Sequence, residues 1–217
     1  MTLPNLTIGV MTGLTLAGAL TVSLVARPQT TKPMTDQQMG RMMASATILD
    51  FPSVAAAPNV GDRAPDFTLA QIDGKKLALS AELKRGPVVL IVGRGWVGYQ
   101  CPFCNRQFGD FLKAAGDIEA AGARVVWVYP GPADQVQTRA EEFAAGRPFP
   151  PNFRFVLDPS YALTRSYGLR WDAPQETAYP STFVIDRTGV VRYALVSKSH
   201  DGRSSAADVI AALRKIN

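Results

Sequence analysis

Cys101-Pro102-Phe103-Cys104 holds both cysteines of the chain. Two thiols at this spacing can close a small disulfide and reopen it. With no third cysteine, the pair cannot belong to a structural disulfide framework. The thiolate is the nucleophile in such exchange. If the motif opens a helix after a strand, the first sulfur meets the free N–H groups and partial positive charge of the helix start, which favours its ionisation. Two other readings attach to the same residues. Zinc needs four ligands, and with His200 the only histidine, carboxylates would have to complete the set. Inert core thiols are the second alternative, since free cysteine is commonly buried.

The neighbouring residues supply the strand and the helix. Pro87-Val-Val-Leu-Ile-Val92 is a short β-branched run bounded by Pro and Gly, a buried strand. The glycine-rich loop Gly93-Arg-Gly-Trp-Val-Gly-Tyr-Gln100 follows. Phe103, Phe108, Phe111, Leu112 and Ala115 then recur at helical spacing, and Pro102 suits a first helical turn, where its missing N–H costs nothing. The helix is expected to reach about Ala120, with Cys101 at its mouth and Cys104 one turn inside.

Around this core the chain alternates. Asp66–Leu69 and Lys76–Leu79 flank the Asp73-Gly74 hairpin signal. Arg124–Tyr129 and Phe153–Leu157 read as buried strands, with a helix from Gln135 to Ala145 between them. Asp158-Pro-Ser160 caps a helix through Tyr167, stopped by Gly168. Thr182–Asp186 and Val190–Val196 form a hairpin, and Ser205 to Asp208 opens a last amphipathic helix. This order predicts an α/β domain with a mixed central sheet covered by helices on both faces. Trp127, Phe155 and Phe183 are expected to fill its core, Trp171 to border the site, Asp186 to serve the hairpin, and His200 to face solvent in a polar turn.

The N-terminal region has a different grammar. Leu3 to Ala26 carries no charge and spans roughly 36 Å as a helix, enough for a bilayer core. Residues 1–26 are therefore expected to form a transmembrane anchor, with Gly9, Gly13, Ala17 and Thr21 on one small-residue face. Ala17-Gly18-Ala19 has the pattern of a signal-peptide cleavage site, but no Lys or Arg precedes the apolar run, which continues past it. Arg27, Lys32 and Arg41 bias the following domain weakly towards the cytoplasm. Residues 27–60 read as a proline-punctuated linker with a candidate short helix through Met39, Met42 and Met43, and the folded domain is expected over 61–217. A net charge of +5 reads as a solvated basic surface. No basic block with interleaved aromatics points to nucleic acid, and no cofactor motif is present.

The order strand, Cys-x-x-Cys, helix, strand, then Tyr179-Pro180-Ser181-Thr182-Phe183-Val-Ile-Asp186, resembles the thioredoxin-like three-layer fold. Gly61-Asp-Arg-Ala-Pro65-Asp66-Phe67-Thr-Leu69 is similar to the opening of the redoxin group, which holds the alkyl-hydroperoxide-reductase/thiol-specific-antioxidant peroxiredoxins and membrane-tethered thiol-disulfide oxidoreductases. The resemblance covers about residues 60–217. It implies a cis Pro180 beside the cysteines, with backbone near Tyr179 open to an extended substrate, and a substrate-facing set of Tyr179, Pro180, Trp96 and Arg94.

Two departures from the family patterns bear on the chemistry. Counting back from Cys101, Gly98 and Arg94 stand where peroxiredoxins carry a hydroxyl and a proline, and Pro180 stands where many carry an arginine. Arg94, in the same loop, is the candidate replacement for that cation. Gly93 and Arg94 also fall about where thioredoxins carry a buried acid, and Trp96 is displaced from its usual place directly before the first cysteine.

The leading expectation is a membrane-anchored thiol-disulfide oxidoreductase. In it Cys101 attacks, Cys104 resolves, and the partner is a protein thiol or disulfide. The resemblance also favours an extracytoplasmic, periplasmic domain, against the weak charge bias. A peroxiredoxin-like thiol peroxidase and an accessory subunit of a membrane complex are the alternatives.

Overall fold

The computed structural model describes residues 56–216. The anchor expected over 1–26 and nearly all of the 27–60 linker lie outside them. Among the described residues no helix is long and apolar enough to cross a membrane.

Five strands make the central sheet: β3 (Val88–Val92), β4 (Arg124–Gly131), β5 (Phe153–Pro159), β6 (Ser181–Ile185) and β7 (Val191–Val196). A separate hairpin pairs β1 (Thr68–Ala70) with β2 (Lys76–Ala78). The sheet order is β5-β4-β3-β6-β7. β3, β4 and β5 run parallel, while β6 and β7 are antiparallel to their neighbours. A parallel pair needs a crossover. The first contains α2 (Pro102–Lys113) and α3 (Ala115–Ala120), and the second contains α4 (Val136–Ala144). The short helices α1 (Leu79–Leu83) and α5 (Ala162–Ser166) and the last helix α6 (Ala206–Leu213) complete the described elements.

All five residues of β3 are buried, as a central strand covered on both faces requires. Their side chains divide between two cores. Val88, Leu90 and Val92 join Leu79, Leu83, Leu163, Tyr167 and Phe183 on one face. On the other, Phe108 of α2 meets Trp127 of β4, Phe143 of α4 and Phe155 of β5, with ring centroids 5.0, 5.1 and 5.7 Å away. Trp127, Phe155 and Phe183 thus fill the core, as their strand positions predict.

The elements differ from expectation in three places. The cysteine helix is interrupted at Ala114, whose ψ opens to 0° before hydrogen bonding resumes from Ile118 N–H to the Ala114 carbonyl. β4 and β5 extend two residues further than their apolar runs, because Pro130 and Gly131 pair with Asp158 and Pro159. Pro130 is tolerated because the β3 ladder stops at Val92↔Val128, so its missing N–H has no partner on that side. α5 begins later than its cap. Ser160 and Tyr161 take left-handed φ of 57° and 63°, and the Asp158 carboxylate then accepts from the Leu163 and Thr164 N–H groups.

Candidate functional site

The loop after β3 opens at the C-terminal edge of the parallel strands, where α/β sheets present their reactive groups. Two backbone bonds clamp it to β4: Gly93 N–H donates to the Val128 carbonyl and Trp96 N–H to the Pro130 carbonyl. Gly95 sits between them with φ 63°, and a Cβ there would lie 1.8 Å from the Pro130 oxygen. Only glycine permits that approach. The clamp fixes Arg94 so that its backbone N–H points at Cys104 Sγ, 3.3 Å away.

Cys101 is the N-cap of α2 and Pro102 its first residue, so the helix places both sulfurs at its mouth as the spacing predicts. Both thiols are free and hydrogen-bonded to each other, and both are buried, at 1% and 2% exposure. The division of charge between them differs from expectation. Cys101 makes no capping hydrogen bond with its side chain. Its thiol is pushed well above the ordinary range by its bond to Cys104 and by burial. Burial opposes ionisation of Cys104 too. It is outweighed by the Cys101 thiol, the Arg203 guanidinium and the Arg94 amide, which hold Cys104 well below the ordinary range. The donors that reach Cys104 Sγ, the Arg94 amide and the Arg203 guanidinium, favour negative charge on that sulfur.

Arg203 is the cation at the sulfurs. Its Nη2 lies 3.4 Å from Cys104 Sγ and 3.8 Å from Cys101 Sγ. It reaches them from the connection between β7 and α6, 99 residues along the chain from Cys104. Two further bonds aim the fork: Nη1 donates to Gln107 Oε1 at 2.9 Å and Nε to the His200 carbonyl at 2.8 Å. Gln107, on α2, also donates to the Ser204 carbonyl, joining the cysteine helix to this connection.

Arg94 adds a second positive charge near the pair and favours ionisation of both thiols, although Arg203 is the cation in contact with the sulfurs. The Arg94 guanidinium is bonded into a buried cluster, donating to Tyr99 Oη at 3.1 Å, the Gln175 carbonyl at 3.0 Å and Glu176 Oε2 at 2.6 Å. The other Glu176 oxygen lies 2.9 Å from His200 Nε2. His200 is thus not the solvent-facing turn residue expected from its Ser/Asp/Gly neighbours. Trp171 does border this cluster, stacking on Tyr179 at 4.8 Å and lying 5.4 Å from the His200 ring.

The remaining expected site residues occupy defined positions. Trp96 is half-buried under the Arg139 guanidinium, 4.3 Å above its ring. Pro180 precedes β6, and no peptide bond among the described residues is cis, so the Tyr179–Pro180 bond is trans. This corrects the cis bond implied by the resemblance. Trans is the lower-energy form for X–Pro, and β6 begins pairing only at Ser181. The backbone around Pro180 is also engaged: Tyr179 N–H donates to the Leu169 carbonyl, the Tyr179 carbonyl accepts from Ser181 Oγ, and the Pro180 carbonyl accepts from Ser197 N–H. Among the described residues no group of three or more His, Cys, Asp or Glu side chains converges as a metal site would require.

Sequence reasoning missed Arg203, Gln107, Glu176 and His200. Gln107 alone carried a local signal, lying one helical turn beyond Cys104 on the same face of α2. The others sit in polar turns that read as solvated surface.

Comparison with known proteins supports the family and the fold. The Redoxin family model matches residues 59–210. A Mycobacterium tuberculosis protein named as a peroxiredoxin is 28% identical over 148 residues, covering 64% of this chain and 88% of the relative. The crystal structure of peroxidoxin BcpB from the same organism superimposes with a TM-score of 0.58 at 24% identity, covering 74% of this chain and 99% of that one. A Chlorobium tepidum structure described as a thiol:disulfide interchange protein DsbE superimposes with a TM-score of 0.54 at 27% identity, covering 72% and 99%.

Proposed function

The chain belongs to the Redoxin family, and from that membership we propose that it is a membrane-anchored thiol-disulfide oxidoreductase working through the Cys101/Cys104 pair. The observation that carries the proposal is the geometry of the pair. Both sulfurs stand at the start of α2, with the one Arg203 guanidinium against both. Such a pair can pass between dithiol and disulfide through a mixed disulfide on Cys101, which Cys104 resolves. Cys104, whose sulfur receives the Arg94 amide and the Arg203 guanidinium, is suited both to attack as the resolving thiolate and to leave when Cys101 is attacked.

Replacing Cys104 with Ser is expected to trap a partner covalently on Cys101, seen as an adduct that disappears on reduction. Cys101→Ser is expected to abolish it. Absence of any adduct in native membranes, with no loss of function in Cys101→Ser, would overturn the reading.

The anchor part of the proposal rests on the uncharged run from Leu3 to Ala26, and the extracytoplasmic placement rests on the kinship with tethered oxidoreductases. Resistance to alkaline carbonate extraction tests the first. Digestion of the domain by protease added to intact spheroplasts tests the second.

Peroxidase chemistry is a second reading, favoured by the named relative and by the Arg203 contact to Cys101. It requires an anionic Cys101, whose thiol is pushed up by its bond to Cys104 and by burial. Slow hydrogen peroxide consumption by the reduced protein is the expected outcome, and rapid consumption lost in Cys101→Ser would make this reading the primary one.

A further inference from the structure

Arg203 bears on the direction of electron flow. A disulfide is uncharged, so the Arg203 guanidinium and the Arg94 amide gain little from the oxidised pair. In the reduced pair both point at Cys104 Sγ, at 3.4 and 3.3 Å. Charge-assisted hydrogen bonds to a buried ion are among the stronger ones available. Anything that stabilises the dithiol alone raises the tendency of the disulfide to take electrons. Among the described residues Arg203 is in no ion pair with a carboxylate, and its guanidinium also donates to neutral oxygens of Gln107 and His200. The nearby carboxylate, Glu176, is already shared between Arg94 and His200.

We propose that Arg203 is a further catalytic residue of this site, the counter-charge of the departing Cys104 thiolate, and that it biases the couple so that the disulfide form oxidises substrate dithiols. This rests on the reading of the pair as an exchange couple. One substrate thiol gives up its proton to solvent, and the thiolate attacks Cys101 Sγ, forming a substrate–Cys101 disulfide. The Cys101–Cys104 bond breaks, and its electron pair leaves on Cys104, where Arg203 and the Arg94 amide receive it. The second substrate thiol gives up its proton and attacks the substrate sulfur of the mixed disulfide, and Cys101 leaves and takes up a proton. The substrate is oxidised from dithiol to disulfide by two electrons. The protein ends as a Cys101 thiol and a Cys104 thiolate, with one proton released to solvent. The better the leaving thiolate is stabilised, the faster the first exchange and the further the equilibrium lies towards products.

The test equilibrates the full chain, and its Arg203→Met, Arg203→Gln and Arg203→Lys variants, with buffers of reduced and oxidised glutathione. Alkylation reads the fraction of dithiol, and thiolate absorbance is followed against pH. The expected result is that the Met and Gln variants shift the equilibrium towards the disulfide by about tenfold or more, the size of a charge-assisted contact, and ionise their first thiol at higher pH. The Lys variant should recover part of both shifts. Gln keeps the polar neighbourhood, so it serves if the Met variant fails to fold.

Folded Met or Gln variants with wild-type equilibrium and wild-type thiolate titration would overturn the role of Arg203, while leaving the exchange reading standing. A wild-type pair that glutathione cannot oxidise or reduce would overturn both.

Discussion

Cys104 receives the Arg94 amide at 3.3 Å and the Arg203 guanidinium at 3.4 Å, while Cys101 has only the longer 3.8 Å contact with Arg203. The difference in reactivity between two chemically identical residues is a difference in the donors that reach each sulfur. The Arg94 amide is held in place partly by its own side chain. That guanidinium is 1% exposed and bonded to Glu176, and the Thr177 hydroxyl donates to the Arg94 carbonyl. A buried cation that loses its anionic partner is strongly destabilising, because the charge stays desolvated without compensation. Glu176→Gln is expected to lower stability by about 3 kcal/mol, measured by the denaturant midpoint of the folded domain in the intact chain. A midpoint within error of wild type would show that Arg94 finds another partner.

At the scale of elements, the site is made by two connections meeting over the mouth of one helix. The loop from 93 to 101 is clamped to β4 and delivers the Arg94 amide. The connection from β7 to α6 delivers Arg203. It is anchored where Ser205 and Asp208 form a reciprocal capping box, each side chain satisfying the other's backbone N–H. The first connection tolerates little change, since Gly95 is left-handed and its Cα faces the Pro130 carbonyl. Gly95→Ala is expected to cost at least about 2 kcal/mol, from the positive φ and the displaced backbone together. It should also raise the pH at which the first thiolate forms, since the Arg94 amide moves with the loop. Thermal unfolding and thiolate absorbance of the same sample check both.

The described domain is built on a mixed sheet with two cores of different character, an aliphatic one under α1 and α5 and an aromatic one under α2 and α4. α2 therefore has two tasks: its first turn carries the cysteines, and its middle packs Phe108 into the aromatic core. Phe108 is fully buried and meets five other rings. Truncation leaves a cavity lined by large, stiff side chains that cannot collapse onto it. Phe108→Ala is expected to cost about 3–5 kcal/mol, read from equilibrium unfolding. The family match over 59–210 coincides with this two-core body.

The strands, their order and the cysteine-bearing helix were legible along the chain, because apolar period, turn chemistry and the Cys-Pro-Phe-Cys spacing are local properties that neighbouring residues express together. So was the capping box at Ser205, a signature only four residues long. Which sulfur the surrounding donors favour was not. That depends on an arginine 99 residues away and on a backbone amide aimed by the fold of its loop. Electrostatic energy follows distance in space, and the chain records only distance along itself. Arg203 and Arg94 look alike as letters, and only the folded chain turns one guanidinium towards the sulfurs and the other towards Glu176.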